Sequence, residues 1–378
     1  SDDLPYASAT GFVYDHVTPL ETFEQALAKL DYASFRREQA EARAAGRYLG
    51  VGTCTFIEPT TPGYGVYGTE GATIRIEPSG TVNVYVAGGS SGNSLETTVV
   101  QLVADALGVD VGDVATIQGD TAITPFGAGA CGSRSASMTA GAVAETASVL
   151  RERILALAAH RLEAAVEDLE LAGGRVSVRG TPSIGVTYGE LARVAYLAPN
   201  ELPAGMPAGL EASGRYTSAN GQIWTNATHV STCEVDVVTG QVQLLRHIVA
   251  EDCGPMINPS VVEGQIDGGT VQGIGGALYE HLVYDEDGNP VTTTFLDYLL
   301  PTATEVPVIE HVHVETPSAG PGGYKGVGEG GAIGAPPAVI NAVADALSPF
   351  GVTLTEQPLT PSRIVALLEN AVTTRGNE

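Results

Sequence analysis

The sequence predicts an α+β protein of two similar lobes, each an antiparallel sheet packed against helices. Segments in which apolar residues alternate along the chain are followed by apolar helical segments, and this order occurs twice, about 160 residues apart. The 47 glycines are spread along the chain, which indicates many tight turns in a compact protein. A chain of 378 residues also exceeds one ordinary core, so more than one packed unit is expected.

The first 47 residues predict a helical lead-in. One helix opens at Pro19 with apolar residues three and four positions apart, and a second runs from about Tyr32 to Gly46. An amphipathic helix needs an apolar surface to cover. We therefore expect residues 1–47 to pack on a partner chain.

Residues 48–195 form the first predicted lobe. The stretch "TIRIEPSGTVNVYVAGG" alternates apolar residues on both sides of a Ser-Gly turn, which is typical of a β-hairpin with one buried face. The stretch "LETTVVQLVADAL" then predicts a helix that Gly108 closes, and a strand follows near "DVATIQGD". A long helical stretch over residues 139–165 completes this lobe.

Residues 196–224 are rich in Pro, Gly and Ser, which predicts a connector. The second lobe, residues 225–378, begins with a hairpin about Thr239-Gly240. It continues with the apolar segment "VVEGQIDGGTVQGIGGALYEHL", so the order hairpin, loop and helix is repeated.

Composition and charge exclude several classes of protein. A formal net charge of -26 repels the phosphates of nucleic acids and anionic lipid headgroups, so no nucleic-acid partner is expected. No apolar run is long enough to span a membrane, and "SDDLPYASATG" lacks the basic and apolar regions of a signal peptide. We therefore expect a cytoplasmic protein without a membrane span.

The four cysteines, Cys54, Cys131, Cys233 and Cys253, lie too far apart to form a CxxC pair, and the seven histidines show no HExxH spacing. We therefore predict no metal ligands and no iron–sulfur cluster on this chain.

Three glycine-rich loops stand between a predicted strand and a predicted helix, at residues 87–98, 119–137 and 320–331. Free N–H groups and the helix dipole make such a loop a good site for an anion or a pterin. None of the loops matches the GxxxxGK[ST] phosphate loop or the dinucleotide fingerprint, and each alone is a weak signal. Together they indicate a shared ligand.

Four stretches of the sequence resemble those of a known protein family: "GSSGNSLETT", "GDTAITPFGAGACGSRSASMTAGA", "INPSVVEGQIDGGTVQGIGGALYE" and "YKGVGEGGAIGAPPAVINAVADAL". They resemble, in the same order, the molybdenum-binding loops of the xanthine oxidase family, which includes aldehyde oxidase and carbon-monoxide dehydrogenase large subunits. The resemblance extends over nearly the whole chain and corresponds to the C-terminal half of the large subunit. It implies the molybdopterin-binding fold of the molybdenum hydroxylases.

The resemblance assigns roles to particular residues. The acid of the "VGE" motif, Glu329, corresponds to the base that activates the water-derived oxygen. A base of this kind should be shielded from water and should have little bulk around it, which the flanking glycines allow. The alternative is that Glu329 only caps a helix beginning near Pro336. The residues implied as cofactor contacts are Ser91, Gly92, Asn93, Gly132, Ser133, Arg134, Ser135, Gln265 and Gly328.

Asn93 departs from the family pattern. It stands where the family has a Gln and is one methylene shorter. Phe126 and Tyr324 either line the substrate pocket or are ordinary core aromatic residues.

The activity implied by the resemblance is oxidative hydroxylation of an aldehyde or an N-heteroaromatic carbon, with water as the oxygen source. The implied cofactor is molybdopterin, in its cytosine dinucleotide form, whose dithiolene binds the molybdenum. The alternative is a non-catalytic cofactor-binding subunit or a structural subunit.

Large subunits of this family are about twice as long as this chain, and several of their first-half motifs are missing here. We expect a separate chain, or a segment cleaved from a precursor just before Ser1, to supply that half. Electrons must also leave the site, so the further expected partners are an iron–sulfur subunit and an FAD subunit, besides a small-molecule substrate.

Overall fold

A computed structural model describes residues 4–61, 67–218 and 221–375. A few residues of the predicted lead-in, first lobe, connector and second lobe, 1–3, 62–66, 219–220 and 376–378, lie outside the described residues. The strands are β1 Tyr6–Ala7, β2 Val13–Tyr14, β3 Tyr48–Pro59, β4 Thr69–Ile76, β5 Val82–Val86, β6 Val114–Ile117, β7 Leu169–Ala172, β8 Arg175–Val178, β9 Thr181–Thr187, β10 Glu211–Thr217, β11 Trp224–Val235, β12 Val242–Asp252 and β13 Ile309–His313. The α-helices are α1 Pro19–Leu30, α2 Tyr32–Ala44, α3 Leu95–Leu107, α4 Ala140–Leu162, α5 Tyr188–Leu197, α6 Pro259–Leu278, α7 Gly330–Leu347 and α8 Pro361–Arg375.

Two four-stranded sheets form the centres of two lobes and have the same arrangement. Their strand orders are β10-β4-β5-β6 and β3-β11-β12-β13. In each sheet the first two pairings are antiparallel and the last is parallel. The predicted α+β class and the repeated order of hairpin, loop and helix are confirmed, and a parallel edge strand is added to each sheet. A smaller sheet, β7-β8-β9, belongs to the first lobe.

The predicted lobe boundaries at residues 48 and 196 are wrong. Strand β3, assigned to the first lobe, pairs along its whole length with β11 in the second sheet. Strand β10, assigned to the connector, pairs with β4 in the first sheet. The sequence pattern of a strand shows which of its faces is buried, but the neighbour it pairs with is selected by packing between distant parts of the chain.

The first lobe buries its hairpin against two helices. Ile74, Ile76, Val82, Val84 and Val86, the alternating residues of β4 and β5, are all fully buried, and they pack with apolar residues of α3 and α4. The helix α3 ends as predicted, at a Gly108 in the left-handed conformation.

The second sheet is covered by helices on both faces. On one face α6 and α7 pack together, and the backbone of α7 touches β3 so closely that a Cβ at Gly52 would lie 2.2 Å from the carbonyl oxygen of Ala338. On the other face Ala26 and Leu30 of α1 and Phe35 of α2 pack against Val230 and Ile248.

This packing corrects the prediction for residues 1–47. The two lead-in helices are present where the sequence predicted them, but their apolar faces cover this chain's own sheet. The sequence did not show that this sheet has a second face to be covered. These helices therefore do not need a partner chain to bury their apolar residues.

The helix α7, which follows the glycine-rich loop of residues 320–331, also begins earlier than predicted. It starts at Gly330 and contains Pro336 and Pro337 in its interior, so the prolines do not mark its start. Among the residues that the structure describes, no helix has the length and apolar character needed to cross a membrane.

Candidate functional site

The three glycine-rich loops meet at one cavity of about 250 Å³. Predicted site residues from all three loops and from α6 line it: Ser91, Asn93, Ser133, Arg134, Ser135, Gln265, Gly328 and Glu329. Gly92 and Gly132 lie beside these residues in the same loops, and Gly132 contacts Glu329 directly. The chain therefore brings together residues that are up to 238 positions apart, from Ser91 to Glu329.

The duplicated topology explains why the loops converge. The loop before α4 follows β6, and the loop before α7 follows β13, so both hold the same place in their lobes. The helices α3 and α6 correspond in the same way, and the Asn258 side chain at the start of α6 donates to the Gln101 side chain on α3 at 3.0 Å. The cavity is thus built from corresponding segments of the two lobes.

Glu329 joins the two loops through two hydrogen bonds. The Gly132 N–H donates to Glu329 Oε1, and the Glu329 N–H donates to Ser133 Oγ, both at 2.9 Å. Glu329 stands at the N-cap position of α7, but its side chain makes no capping hydrogen bond to that helix. The helix-capping alternative is therefore wrong for the carboxylate, which is held by the loop of the other lobe.

The close approach between the loops is made at Gly326. A Cβ built there would lie 1.7 Å from the Ser133 carbonyl oxygen, so no side chain fits. At Gly328, which the resemblance implied as a cofactor contact, the nearest atom to such a Cβ is 3.7 Å away, an ordinary contact distance. Of these two glycines, Gly326 is the one that the packing of the loops requires.

The loop of the first lobe is fixed by Arg134. Its Nη1 pairs with Glu70 Oε2 at 2.5 Å and donates to the Gly129 carbonyl at 2.9 Å, and its Nη2 donates to the Thr69 carbonyl at 3.2 Å. Arg134 and Glu70 are both buried. The guanidinium is thus engaged inside the protein, and its prediction as a cofactor contact is not supported by this geometry, because its charge is already paired.

Asn93 stabilises its own loop. Its Oδ1 accepts hydrogen bonds from the Ser91 N–H and the Ser90 hydroxyl, both at 3.3 Å. Asn93 lines the cavity, and its amide group also carries hydrogen-bond donors. Gln265, on α6, places its Oε1 near Gly328, 3.8 Å from the position that a Cβ of Gly328 would take.

A buried ion pair anchors the second-lobe loop. Lys325 Nζ lies 3.1 Å from Asp252 Oδ1 and donates to the His16 carbonyl at 2.6 Å, and both side chains of the pair are fully buried. Burial lowers the pKa of Lys325, and the charge of Asp252 opposes that change. The pair connects the lead-in to the site, and the sequence analysis did not identify it.

Two further acids, Glu58 and Glu251, lie behind the cavity and were also missed. Burial raises the pKa of Glu58 to about 7; the charge of Glu329 acts in the same direction, and a hydrogen bond from Ser133 opposes it. Burial likewise raises the pKa of Glu251 well above its ordinary value. One signal was present in the sequence: Glu58 follows Phe56 by two positions in a strand, which places an acid on the buried face.

Glu329 itself is open to solvent in this chain, as are Cys131, Gly132 and Gly328. The expectation that the base is shielded from water is therefore not met by the residues of this chain alone.

The two aromatic candidates, Phe126 and Tyr324, fall outside the site. Phe126 is 70% exposed beneath the Arg215 guanidinium, Tyr324 is half-buried, and neither lines the cavity in the part of the chain that is described.

The donors around the cavity suit an organic, anionic group. The N-terminal ends of α3 and α6 both lie at it, with Leu95 and Thr98 from one helix and Val261 and Val262 from the other. Helix N-termini favour negative charge, and the amide and hydroxyl side chains supply hydrogen bonds. A molybdopterin fits this donor set. Within the described residues no three His, Cys, Asp or Glu side chains come together as a metal site.

Comparison with known proteins identifies the family. Residues 25–307 match the model of the molybdopterin cofactor-binding domain. The chain is 38% identical to the nicotine 6-hydroxylase large subunit of Paenarthrobacter nicotinovorans, over 99% of this chain and 47% of that subunit. It is 34% identical to the carbon monoxide dehydrogenase large chain of Hydrogenophaga pseudoflava, over 96% of this chain and 46% of that one.

Solved structures agree with this assignment. Quinoline 2-oxidoreductase from Pseudomonas putida 86 superposes with a TM-score of 0.89 at 41% identity, over 97% of this chain and 48% of that one. The Cu,Mo-CO dehydrogenase superposes with a TM-score of 0.88 at 32% identity, over 98% and 48% of the two chains. The chain belongs to the molybdopterin cofactor-binding family, among the large subunits of the molybdenum hydroxylases. It spans about half the length of these relatives.

Proposed function

We propose that this chain is the molybdenum-cofactor-binding part of a multi-subunit molybdenum hydroxylase. It would oxidatively hydroxylate an aldehyde or an N-heteroaromatic carbon, with water as the oxygen source. The observation that supports this most strongly is the convergence of three glycine-rich loops at one cavity, where the Glu329 carboxylate is held by the Gly132 N–H.

The cofactor contacts follow from the cavity lining. Hydroxyl groups of Ser91 and Ser135 and amide groups of Asn93 and Gln265 would bind the cofactor, with Ser133 and the backbone of Gly92, Gly132 and Gly328 beside them. Arg134 would act indirectly, by holding the loop that presents Ser133. When bound, the molybdenum cofactor supplies the redox chemistry that removes two electrons from the substrate. We expect the cytosine dinucleotide form of the molybdopterin.

Glu329 is suited to hold and release a proton at this cavity. Its Oε1 is fixed by the Gly132 N–H, and its backbone is fixed by Ser133, so the orientation of the carboxylate is set before any substrate binds. Its second oxygen is free to accept a proton from a group in the cavity. Because the carboxylate is open to solvent in this chain, the covering surface would come from another part of the enzyme.

The N-heteroaromatic class is the favoured substrate class. The relatives named above at 38% and 41% identity are, by their names, a nicotine hydroxylase and a quinoline oxidoreductase, and nicotine and quinoline both contain a nitrogen heteroaromatic ring. A screen of N-heteroaromatic compounds and aldehydes with a dye as electron acceptor tests this choice. Turnover of aldehydes alone would reject it.

The partners in this proposal are a chain that corresponds to the other half of the large subunit, an iron–sulfur subunit and an FAD subunit. The chain spans about half of its relatives' length, which supports the first of these. A second support is an exposed apolar segment, residues 282–300, in which Phe295 is 79% and Leu296 is 90% exposed. A cytoplasmic location belongs to the same proposal, and the four unpaired cysteines suit it.

Metal and cofactor analysis of the purified complex tests the proposal. Molybdenum and a phosphate-bearing pterin in near-stoichiometric amounts, together with dye-linked turnover, are the expected result. Cofactor without turnover of any compound in the screen would point to a non-catalytic cofactor-binding subunit. An intact complex without molybdenum would indicate that the chain is a structural subunit.

A further inference from the structure

Two buried acids lie behind the Glu329 loop on one face of the second sheet. Glu58 is near the end of β3 and is 7% exposed, and Glu251 is on β12 and is fully buried. Glu58 pairs with Thr225 of β11, and Glu251 pairs with Ala227, two positions further along the same strand. Residues two apart on a strand share a face, so both acids lie on the same side of the sheet.

Both acids lie next to residues that position Glu329, namely Ser133 and Gly330. The Ser133 hydroxyl accepts the Glu329 N–H at 2.9 Å, so its own proton is free to be donated, and Glu58 receives it. Glu251 lies under the next residue of that loop: a Cβ built on Gly330 would be 3.2 Å from Glu251 Oε2. The two acids therefore lie on the inner side of the turn that carries Glu329.

Their charges are not compensated by their surroundings. In the described structure Glu58 Oε2 and Glu251 Oε2 have no hydrogen-bond partner, and Glu251 Oε1 has only the Thr225 hydroxyl, at 3.2 Å. The charge of the nearby Lys325 lowers the pKa of Glu251, but Lys325 is paired with Asp252, whose charge raises that pKa. Three negative charges on Glu58, Glu251 and Glu329 would thus have no cation of their own, so protons must be retained here.

We propose that Glu58 and Glu251 form a buried acid pair that retains a proton on Glu251 at neutral pH, and that Glu58 is a positioning residue whose charge is coupled to that of Glu329. When Glu329 takes up a proton, Glu58 tends to release one to solvent. When Glu329 loses its proton, Glu58 tends to take one up. The total charge of the three acids then changes less than the charge of Glu329 alone.

The electrostatics agree with this geometry. The charge of Glu329 contributes to raising the pKa of Glu58 to about 7, and the charge of Glu58 contributes to raising that of Glu251. Protonation of Glu58 also changes its hydrogen bond with Ser133, because a protonated carboxyl group can donate a hydrogen bond, whereas a carboxylate can only accept one. Glu58 is thereby connected to Glu329 both by charge and through the hydroxyl of Ser133.

The test is an infrared titration of protonated carboxyl groups in the purified protein, in the complex in which it is isolated. The wild type should show a carboxyl band that titrates near pH 7. Glu58→Gln should remove this band, and Glu329→Gln should move its midpoint to lower pH, since a like charge is lost. Glu251→Gln should remove a band that persists through neutral pH. Glu145→Gln, which removes another acid whose burial raises its pKa, should leave the Glu58 band unchanged.

A midpoint that stays the same in Glu329→Gln, or a band that survives Glu58→Gln, would overturn the proposal. If Glu58→Gln does not fold, the titrations of the wild type and of Glu329→Gln still decide it. The role of Glu329 as a base rests on the proposed function, but the titration needs neither molybdenum nor turnover. A complex without molybdenum would refute the proposed function and leave this result readable. In the active enzyme, Glu58→Gln should shift the pH profile of kcat, which a purely structural residue would not do.

Discussion

Ser133 is the residue at which the two lobes are joined most closely. Its hydroxyl binds the Glu329 N–H, its carbonyl oxygen leaves no room for a side chain at Gly326, and its own backbone has a φ of +51°. A non-glycine residue in that conformation is uncommon and is retained where its surroundings fix it. Here the surroundings are the loop that carries the proposed base.

Glu58 gives a prediction on the stability of the protein. Its pKa is raised from 4.5 to about 7 in the folded chain, so its stabilising contribution is complete below about pH 4.5 and is lost as the pH rises through 7. Glu58→Gln removes this dependence. The free energy of unfolding of the variant, relative to the wild type, should therefore increase by about 3 kcal/mol between pH 4.5 and pH 8.

Denaturant unfolding of Glu58→Gln and of the wild type at several pH values measures this difference. A difference between Glu58→Gln and the wild type that does not change with pH would show that Glu58 is not a buried acid of raised pKa.

The elements of the fold could be predicted where their pattern is local. The two hairpins, the start of α1, and the end of α3 at Gly108 follow from alternation, helical spacing and a terminal glycine. It could not be predicted that β3 joins the second sheet and β10 the first, because these pairings are made between strands more than a hundred residues apart. Glu58 was missed for the same reason, since its neighbours Ser133 and Glu329 are brought together only by the fold.

The lead-in helices give a prediction at the scale of elements. Leu30 is 4% exposed and packs on the second sheet, whereas Leu20, in the same helix, is 64% exposed. Leu30→Ala should lower the free energy of unfolding of this chain by about 2 to 5 kcal/mol. Leu20→Ala should change it by less than about 0.5 kcal/mol.

Denaturant unfolding of the purified chain without added partners measures both variants. Equal effects of the two substitutions would mean that α1 does not cover the sheet of this chain in solution. The original expectation, in which the lead-in needs a partner chain, would then be restored.

At the scale of the whole molecule, the site residues from the three loops could be predicted by resemblance, while their separate tasks required coordinates. The sequence grouped Arg134 with the cofactor contacts, but its charge is paired with Glu70. It included Gly328 among the cofactor contacts and did not single out Gly326, where the loops touch. Backbone contact distances and the pairing of charges depend on three-dimensional geometry, which motifs do not specify.

The exposed apolar segment gives a prediction on assembly. Phe295 and Leu296, in residues 282–300, should contact the chain that corresponds to the other half of the large subunit. Phe295→Glu with Leu296→Glu should weaken that association at least tenfold, because two charges would be buried without partners. Val238→Glu, at an 83% exposed position in the turn between β11 and β12, is the control and should leave the association unchanged.

Titration of this chain with the purified partner, followed by calorimetry, measures the two affinities. Equal affinities for the double variant and the wild type would remove the segment from the interface.

The central claim is that the loops of two duplicated lobes hold a molybdopterin beside one carboxylate that works as a base. Turnover and molybdenum content of Glu329→Gln, measured on the same preparation of the complex, test it most directly. Unchanged molybdenum content is expected, with a loss of turnover of at least the 10² to 10⁴-fold that is typical for a general base. Turnover within tenfold of the wild type, at full molybdenum content, would contradict it.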